Sequence, residues 1–160
     1  MSGMRDVADD LSRLVDETVP RLLAIGEQDS LRTRGPGTWS CKQVLGHLVD
    51  SALNNLHRFV RAPQTEEFSF PGYEQDRWVA AGGYQDRPWG SLVELWAALN
   101  RQAVHVMTLI PEDHLSTPCR IGEGQPVTLE FIVRDYARHM RHHLLQIFDP
   151  EAAAGRTHVS

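Results

Sequence analysis

Histidines are the residues of this chain best suited to bind a metal ion, and there are eight of them. His139 and His143 lie four positions apart, and on an α-helix residues at that spacing have Cβ atoms about 5–6 Å apart. Two imidazoles so placed can bind one metal ion at about 2.0–2.1 Å. Eight histidines in a random chain of this length would give roughly 0.35 such pairs, so spacing alone is weak evidence.

The direction of these two histidines on the helix adds evidence. At about 100° per residue, His139 and His143 both border the apolar stripe that contains Leu129 and Met140. His142 falls toward the opposite, arginine-rich side, where we expect it to be solvated. Two interpretations remain open for the inward pair: they are metal ligands, or they are core histidines whose hydrogen bonds are satisfied by neighbouring side chains.

His47 is the candidate third ligand, and periodicity does not support it. The apolar side of its helix centres between Leu48 and Leu56, so the pattern alone predicts that His47 is exposed. The alternative is that the polar stripe around His47 lines a wet cavity at the axis of a bundle. This stripe also contains Asp50, Ser51, Asn54 and Arg58.

Four stretches of the chain carry the i, i+3, i+4, i+7 spacing of apolar residues that is typical of amphipathic helices. They run approximately from Met4 to Ile25, Ser40 to Pro63, Ser91 to Pro111 and Thr128 to Pro150. Capping boxes predict the starts of the second and third helices, through Ser40 with Gln43 and Ser91 with Glu94. The pattern predicts an all-α four-helix bundle over residues 1–150, followed by a loose polar tail at 151–160.

The connection between the second and third helices, Pro63 to Gly90, is much longer than joining two helices requires. Tyr73 to Ala81 could form a short helix within it. We interpret this segment as a crossover that borders the metal pocket; the alternative is that Trp78 and Trp89 only plug the end of the bundle or form a dimer contact. The six aromatic residues of the crossover are Phe68, Phe70, Tyr73, Trp78, Tyr84 and Trp89.

Composition limits the class of protein. A chain of 160 residues that is 41% hydrophobic predicts one globular domain. A net charge of -5 without a basic tract argues against nucleic-acid partners. There is no apolar run long enough to span a membrane, and the acidic N-terminus is unlike a secretory signal, so we expect a cytoplasmic protein without a membrane partner.

Two segments resemble the DinB/YfiT-like family of metal-binding four-helix bundles. They are WSCKQVLGHLVDSALNNLHRF, Trp39 to Phe59, and DYARHMRHHLLQI, Asp135 to Ile147. In that family a histidine after a Trp-Ser helix start and a His-x3-His pair in the last helix form a three-histidine metal site, which the resemblance places on His47, His139 and His143. It also implies a long crossover between the second and third helices, and frequent homodimers.

The resemblance further implies a metal-dependent enzyme that acts on a small-molecule substrate. Characterised relatives are transferases or isomerases that use a low-molecular-weight thiol such as bacillithiol or mycothiol, and many other relatives are only proposed to be hydrolases. Three histidines leave coordination positions open, and a metal acidifies a bound thiol or water. Imidazole suits Zn, Ni and Fe alike, so the ion is not specified. The alternative is a non-catalytic bundle that binds a metal or a small ligand.

Four side chains are candidates for assisting the reaction. Asp50 and Asn54 follow His47 by about one and two helical turns and could orient a ligand, Arg58 could bind an acidic substrate, and Tyr136 could donate a proton. An ordinary polar helix face and a core tyrosine are the competing interpretations. No Glu-x-x-His or His-Glu-x-x-His motif occurs, which disfavours a di-iron site and a zincin.

Overall fold

The computed structural model describes residues 3–150, so the predicted tail at 151–160 lies outside the described residues. Four long helices are α1 (Arg5–Leu23), α3 (Cys41–Arg61), α5 (Trp89–Leu109) and α6 (Leu129–Phe148), and two short ones are α2 (Glu27–Leu31) and α4 (Gln75–Gly82). The strands are β1 (Phe68–Phe70), β2 (Pro118–Ile121) and β3 (Val127–Thr128). Single 3-10 turns occupy Ala62–Gln64, Tyr84–Asp86 and Glu112–His114.

The four long helices form the bundle, and this confirms the predicted fold. α3 packs against both α5 and α6, and α1 packs against α5. The predicted capping box at α3 is present: the Ser40 hydroxyl accepts from the Gln43 backbone N–H, and the Gln43 side chain accepts from the Ser40 N–H at 2.9 Å. The Thr128 side chain caps α6 with a single hydrogen bond, accepting from the Phe131 N–H at 3.1 Å. These caps fix where the two histidine-bearing helices begin.

The predicted start of the third long helix is wrong. α5 begins at Trp89, with Pro88 at the N-cap, and the expected capping box of Ser91 with Glu94 does not form. The physical reason is that other groups hold this end of the helix: the Trp89 backbone N–H donates to a Glu27 carboxylate oxygen at 3.2 Å, and the indole N–H donates to the Leu22 carbonyl at 2.7 Å. An acceptor from α2 therefore takes the place of a local cap.

The crossover between α3 and α5 has structure of its own. It contains β1, the short helix α4 near the position predicted for it, and the turn at Tyr84. β1 pairs in parallel with β2, which pairs antiparallel with β3, so the sheet links the crossover to the segment that precedes α6. The sheet was not predicted, because strands of 3, 4 and 2 residues are too short to show an alternating pattern. No helix within residues 3–150 is both long and apolar enough to cross a membrane.

Candidate metal centre

Three histidines from two helices meet inside the bundle. His47 lies on α3, and His139 and His143 lie on successive turns of α6. One ring nitrogen of each lies within 4.8 Å of the others, and the Nε2 atoms of His47 and His139 are 3.1 Å apart. All three are buried, with exposed fractions of 1%, 9% and 1%. The structure thus brings together the three side chains that the resemblance selected.

The cluster has the dimensions and the donor chemistry of a metal site. Two imidazole nitrogens on one tetrahedral ion, each at about 2.0–2.1 Å, would lie about 3.3–3.4 Å apart, close to the separation of His47 and His139. Imidazole is the common ligand of Zn, Ni and Fe. Within residues 3–150 no other group of three His, Cys, Asp or Glu residues converges in this way. The arrangement can hold one divalent ion, which stays a prediction for these three residues.

Gln146 orients one of the three rings. His143 Nδ1 and Gln146 Oε1 are 2.8 Å apart, and an amide oxygen only accepts, so the ring donates through Nδ1. With its proton on Nδ1, the ring carries on Nε2 the lone pair that a metal needs. Sequence reasoning missed Gln146, although its position three residues after His143, on the same helix face, was the available signal.

Two expectations from the helical wheel are wrong. His47 was expected to be exposed, and it is buried because α3 is covered by α5, α6 and the crossover, so this helix has little solvent-facing surface near the site. The Trp39 ring also packs 5.1 Å from its ring. His142 was expected to be solvated, and it is half-buried with its ring 5.1 Å from that of His143.

The crossover borders the site, as predicted. A cavity of about 230 Å³ is lined by His139 on α6 and by Gly72, Tyr73 and Gln75 from the crossover. A second cavity, of about 300 Å³, is lined by His143 and again by Gln75. Of the two tryptophans in the alternative, Trp89 is buried at 3% exposed and its indole N–H donates to the Leu22 carbonyl of α1, whereas Trp78 is 40% exposed.

Asp50 is held by the crossover. It is buried, and one carboxylate oxygen accepts a hydrogen bond from the Tyr84 hydroxyl at 2.5 Å. The other oxygen, Oδ2, is buried and has no hydrogen-bond partner in the described part of the chain. Burial raises the pKa of Asp50 to about 6, and the hydrogen bond from Tyr84 opposes that rise. Burial raises the pKa of Tyr84, and its hydrogen bond to Asp50 raises it further. The contact between Tyr84 and Asp50 was not predicted, and neither residue lines the two cavities beside the histidines.

The other three candidate side chains differ in what they contact. The Asn54 side chain donates to the Asp50 carbonyl at 2.9 Å and lines an outer groove beside β1. Arg58 lines the cavity that His139 also lines. Tyr136 also lines that cavity, but it is buried, its hydroxyl donates to Asn100, and burial raises its pKa, as expected of a core tyrosine.

Known proteins resemble this chain in sequence and in fold. The family model described as the DinB superfamily matches residues 10–147. A proposed metal-dependent hydrolase of Oceanobacillus iheyensis is 23% identical over 124 residues, which cover 78% of this chain and 71% of that protein. A similarly named protein of Bacillus cereus is 27% identical over 111 residues, 69% of this chain and 64% of that one.

The structure of YfiT from Bacillus subtilis, described as a probable metal-dependent hydrolase with an unusual four-helix bundle topology, superposes with a TM-score of 0.81. The superposition covers 98% of this chain and 91% of the YfiT chain, and the two sequences are 17% identical. The two proteins therefore share a fold. The family model spans nearly all of the described chain, including the three clustered histidines on α3 and α6. The protein is therefore a member of the DinB superfamily.

Proposed function

We propose that this protein binds one divalent metal ion on His47, His139 and His143 and uses it to activate a low-molecular-weight thiol or water against a small-molecule substrate. The observation that carries the proposal is that the buried three-histidine cluster is bordered by two cavities, one lined by His139 and the other by His143. A closed structural site would have a fourth protein ligand, and no such ligand from Cys, Asp or Glu joins the cluster within residues 3–150.

Three imidazole ligands favour a Lewis-acid role for the ion. When bound, a divalent ion would lower the pKa of a coordinated thiol or water, so that a nucleophile forms near neutral pH. The three imidazoles are neutral donors, so they would leave the charge of the ion uncompensated. Gln146 holds the His143 ring in one orientation. Ile121, Phe131 and Ile132 give the cavity an apolar wall that would exclude water from part of a bound substrate.

Thiol transfer and hydrolysis differ in the nucleophile. In transfer, the thiol loses its proton, its sulfur forms a bond to an electrophilic carbon of the substrate, and the leaving group departs with the electron pair of the broken bond. In hydrolysis, the oxygen of water takes the place of sulfur. The names of the relatives favour hydrolysis, whereas the resemblance seen in the sequence includes thiol transferases, so both belong to the proposal. A non-catalytic binding protein would share the metal site and show neither reaction.

Cobalt substitution tests the thiol-binding part of the proposal. Protein loaded with Co²⁺ is titrated with 2-mercaptoethanol, and a thiolate-to-cobalt charge-transfer band should appear and saturate. His143→Ala should show no band, and His142→Ala should behave like the wild type. Absence of the band in the wild type would exclude thiol activation and leave hydrolysis.

Turnover separates an enzyme from a binding protein. Metal-loaded protein is assayed for conjugation of bacillithiol or mycothiol to a chromogenic electrophile and, separately, for hydrolysis of chromogenic esters. We expect one of the two rates to exceed the rate of His143→Ala by at least about a hundredfold, the range that a lost metal nucleophile implies. Equal rates for both proteins in both assays would favour the non-catalytic alternative.

A further inference from the structure

Arg58 is a buried cation that has no acidic partner among residues 3–150. Its exposed fraction is 8%, and it lies near the end of α3. Its guanidinium donates one hydrogen bond, to the Asn55 side-chain oxygen at 3.3 Å, and stacks over the Phe70 ring at 4.2 Å. Within residues 3–150 no carboxylate forms an ion pair with it. Four of the five N–H donors of an arginine are thus left without a protein acceptor in the described chain.

Burying such a charge has a cost in free energy. An ionised group removed from water is normally paired with an opposite charge, and an aromatic face and one amide oxygen replace only part of its hydration. Burial also lowers the pKa of Arg58, because the charged form loses hydration that the neutral form needs less. A guanidinium remains charged even so. An anion that enters the cavity would gain a charged partner that Asn55 and Phe70 already hold in place.

The distance between Arg58 and the histidine cluster sets the length of such an anion. Arg58 and His139 line the same cavity, and Ser51, Asn55 and Tyr73 line the space between α3 and the crossover. His47 and Arg58 are eleven positions apart on α3, which corresponds to about 16 Å between their Cα atoms along the helix axis. An arginine side chain leans back toward the start of its helix and so shortens this gap by several ångströms. The anionic group and the reacting atom of a ligand would therefore be several bonds apart.

We propose that Arg58 binds the carboxylate of an extended small-molecule acid whose other end reaches the three-histidine cluster. The proposal rests on the function proposed above and names the substrate class for that site. A carboxylate fits better than a phosphate, because the cavity offers one guanidinium fork and a phosphate dianion would leave charge unmatched. Asp135 is the one acidic residue of the lining. Its carboxylate already accepts from Arg138 at 2.9 Å and forms no ion pair with Arg58.

Binding of hexanoate and hexanamide to metal-free protein at pH 8 tests the inference without any dependence on the metal. The two probes have nearly the same shape, and only the first carries a charge. We expect saturable chemical-shift changes at the cavity residues with hexanoate, and at least tenfold weaker binding of hexanamide. Arg58→Gln should lose at least tenfold in hexanoate affinity and should bind hexanamide as the wild type does. Arg58→Lys should recover part of the hexanoate affinity.

Arg61→Gln is the matched control, since Arg61 lies one turn later on α3 and also stacks on a phenylalanine of β1, at 5.4 Å from the Phe68 ring, but is exposed. It should bind hexanoate within twofold of the wild type. Equal hexanoate affinity in Arg58→Gln and wild type, no hexanoate binding at all, or tighter binding of inorganic phosphate would each overturn the inference. If Arg58→Gln does not fold, the wild-type protein still decides, because equal binding of hexanoate and hexanamide would overturn the inference. Metal content is measured separately, so a failure of the metal proposal is seen independently.

Discussion

The three histidines of α6 from His139 to His143 lie within little more than one helical turn, yet only two of them belong to the cluster. His142 packs against His143 from one side, with ring centres 5.1 Å apart, and is not among the converging nitrogens. We predict that His139→Ala and His143→Ala each abolish the binding of one metal ion per chain, and that His142→Ala retains it. Elemental analysis of protein purified without a histidine tag measures this. Equal loss in His142→Ala would contradict the assignment.

Gln146 offers a finer test of the same site. Its hydrogen bond to His143 Nδ1 holds the ring and its proton, and loss of such a partner typically weakens metal affinity 10–100-fold. We predict a loss in that range for Gln146→Leu, measured by competition with a chromogenic chelator. Gln146→Glu is the matched variant, because a carboxylate accepts the same hydrogen bond more strongly, and its affinity should equal or exceed that of the wild type. Wild-type affinity in Gln146→Leu would rule out this role.

The buried Asp50 carboxyl should make stability depend on pH. Its pKa of about 6 in the folded protein lies above the ordinary 3.8, so between these values the folded protein holds a proton that the unfolded chain has released. Its contribution therefore favours folding below about pH 4 and is lost as the pH rises through about 6. We predict that Asp50→Asn raises the free energy of unfolding of metal-free protein by about 1–3 kcal/mol at pH 8 and has little effect at pH 4.

Urea unfolding of both proteins at the two pH values measures this difference. The two proteins differ only at position 50, so the comparison reports on the Asp50 carboxyl. The Tyr84 hydroxyl can still donate to the amide oxygen of the asparagine, so the packing of the turn is preserved. An Asp50→Asn protein that is less stable than the wild type at pH 8 would show that the ionised carboxylate stabilises the fold.

At the residue scale, the sequence could predict only side chains whose neighbours lie on the same helix. His139 and His143 were accessible because spacing and direction are properties of one helix. His47 was not, since a helical wheel assumes that one side of the helix faces water, and α3 is covered on several sides. Only the family resemblance supplied it. Gln75 borders both cavities from the crossover, and Tyr84 contacts Asp50 from it, so no local pattern could have identified these contacts.

At the scale of elements, the crossover is fixed to α3 by a close contact that depends on glycine. A Cβ atom at Gly46 would lie 2.1 Å from the Tyr84 ring, well inside van der Waals contact. Tyr84 in turn donates to Asp50, one helical turn after Gly46. The absence of a side chain at Gly46 therefore lets the turn that follows α4 lie directly on the helix that carries His47.

We predict that Gly46→Ala destabilises the protein by about 1–3 kcal/mol, because the displaced Tyr84 ring costs more than the gain in helix propensity returns. Gly90→Ala in α5 is the control, since a Cβ there would meet nothing within 4 Å, and it should be neutral or stabilising by up to about 1 kcal/mol. Thermal or urea unfolding of the two variants measures the difference. Similar stabilities for both would mean that the contact with Tyr84 is readily relaxed.

The elements differ in how far the sequence determined them. The four long helices were predictable because each carries an apolar stripe over about five turns. The start of α5 was not, because Glu27 and Leu22, both distant in sequence, accept the hydrogen bonds of Trp89. The strands were not predictable either, since β1 forms only by pairing with β2, about fifty residues further along the chain.

At the scale of the whole molecule, the three-histidine cluster connects distant parts of the chain. His47 and His139 are separated by 92 positions, and the two histidine-bearing helices pack directly against each other. A metal ion held between them would bind the folded protein far more tightly than the unfolded chain and so stabilise the fold. The homodimer implied by the family resemblance stays a prediction, which sedimentation of the full chain at several concentrations would test.

The stabilisation of the fold by a metal ion should depend on pH. At a Zn²⁺ or Ni²⁺ concentration of about 100 times Kd, binding to the folded protein alone adds about 2.7 kcal/mol, or roughly 5–10 °C in Tm for a chain of this size. Imidazole must be neutral to bind, and its ordinary pKa is near 6.5, so the increase should be present at pH 7.5 and almost absent at pH 5. His143→Ala should show no increase at either pH. A metal-induced shift of equal size at pH 5 and pH 7.5 would mean that carboxylates rather than the three histidines hold the ion, because only carboxylates remain good ligands at the lower pH.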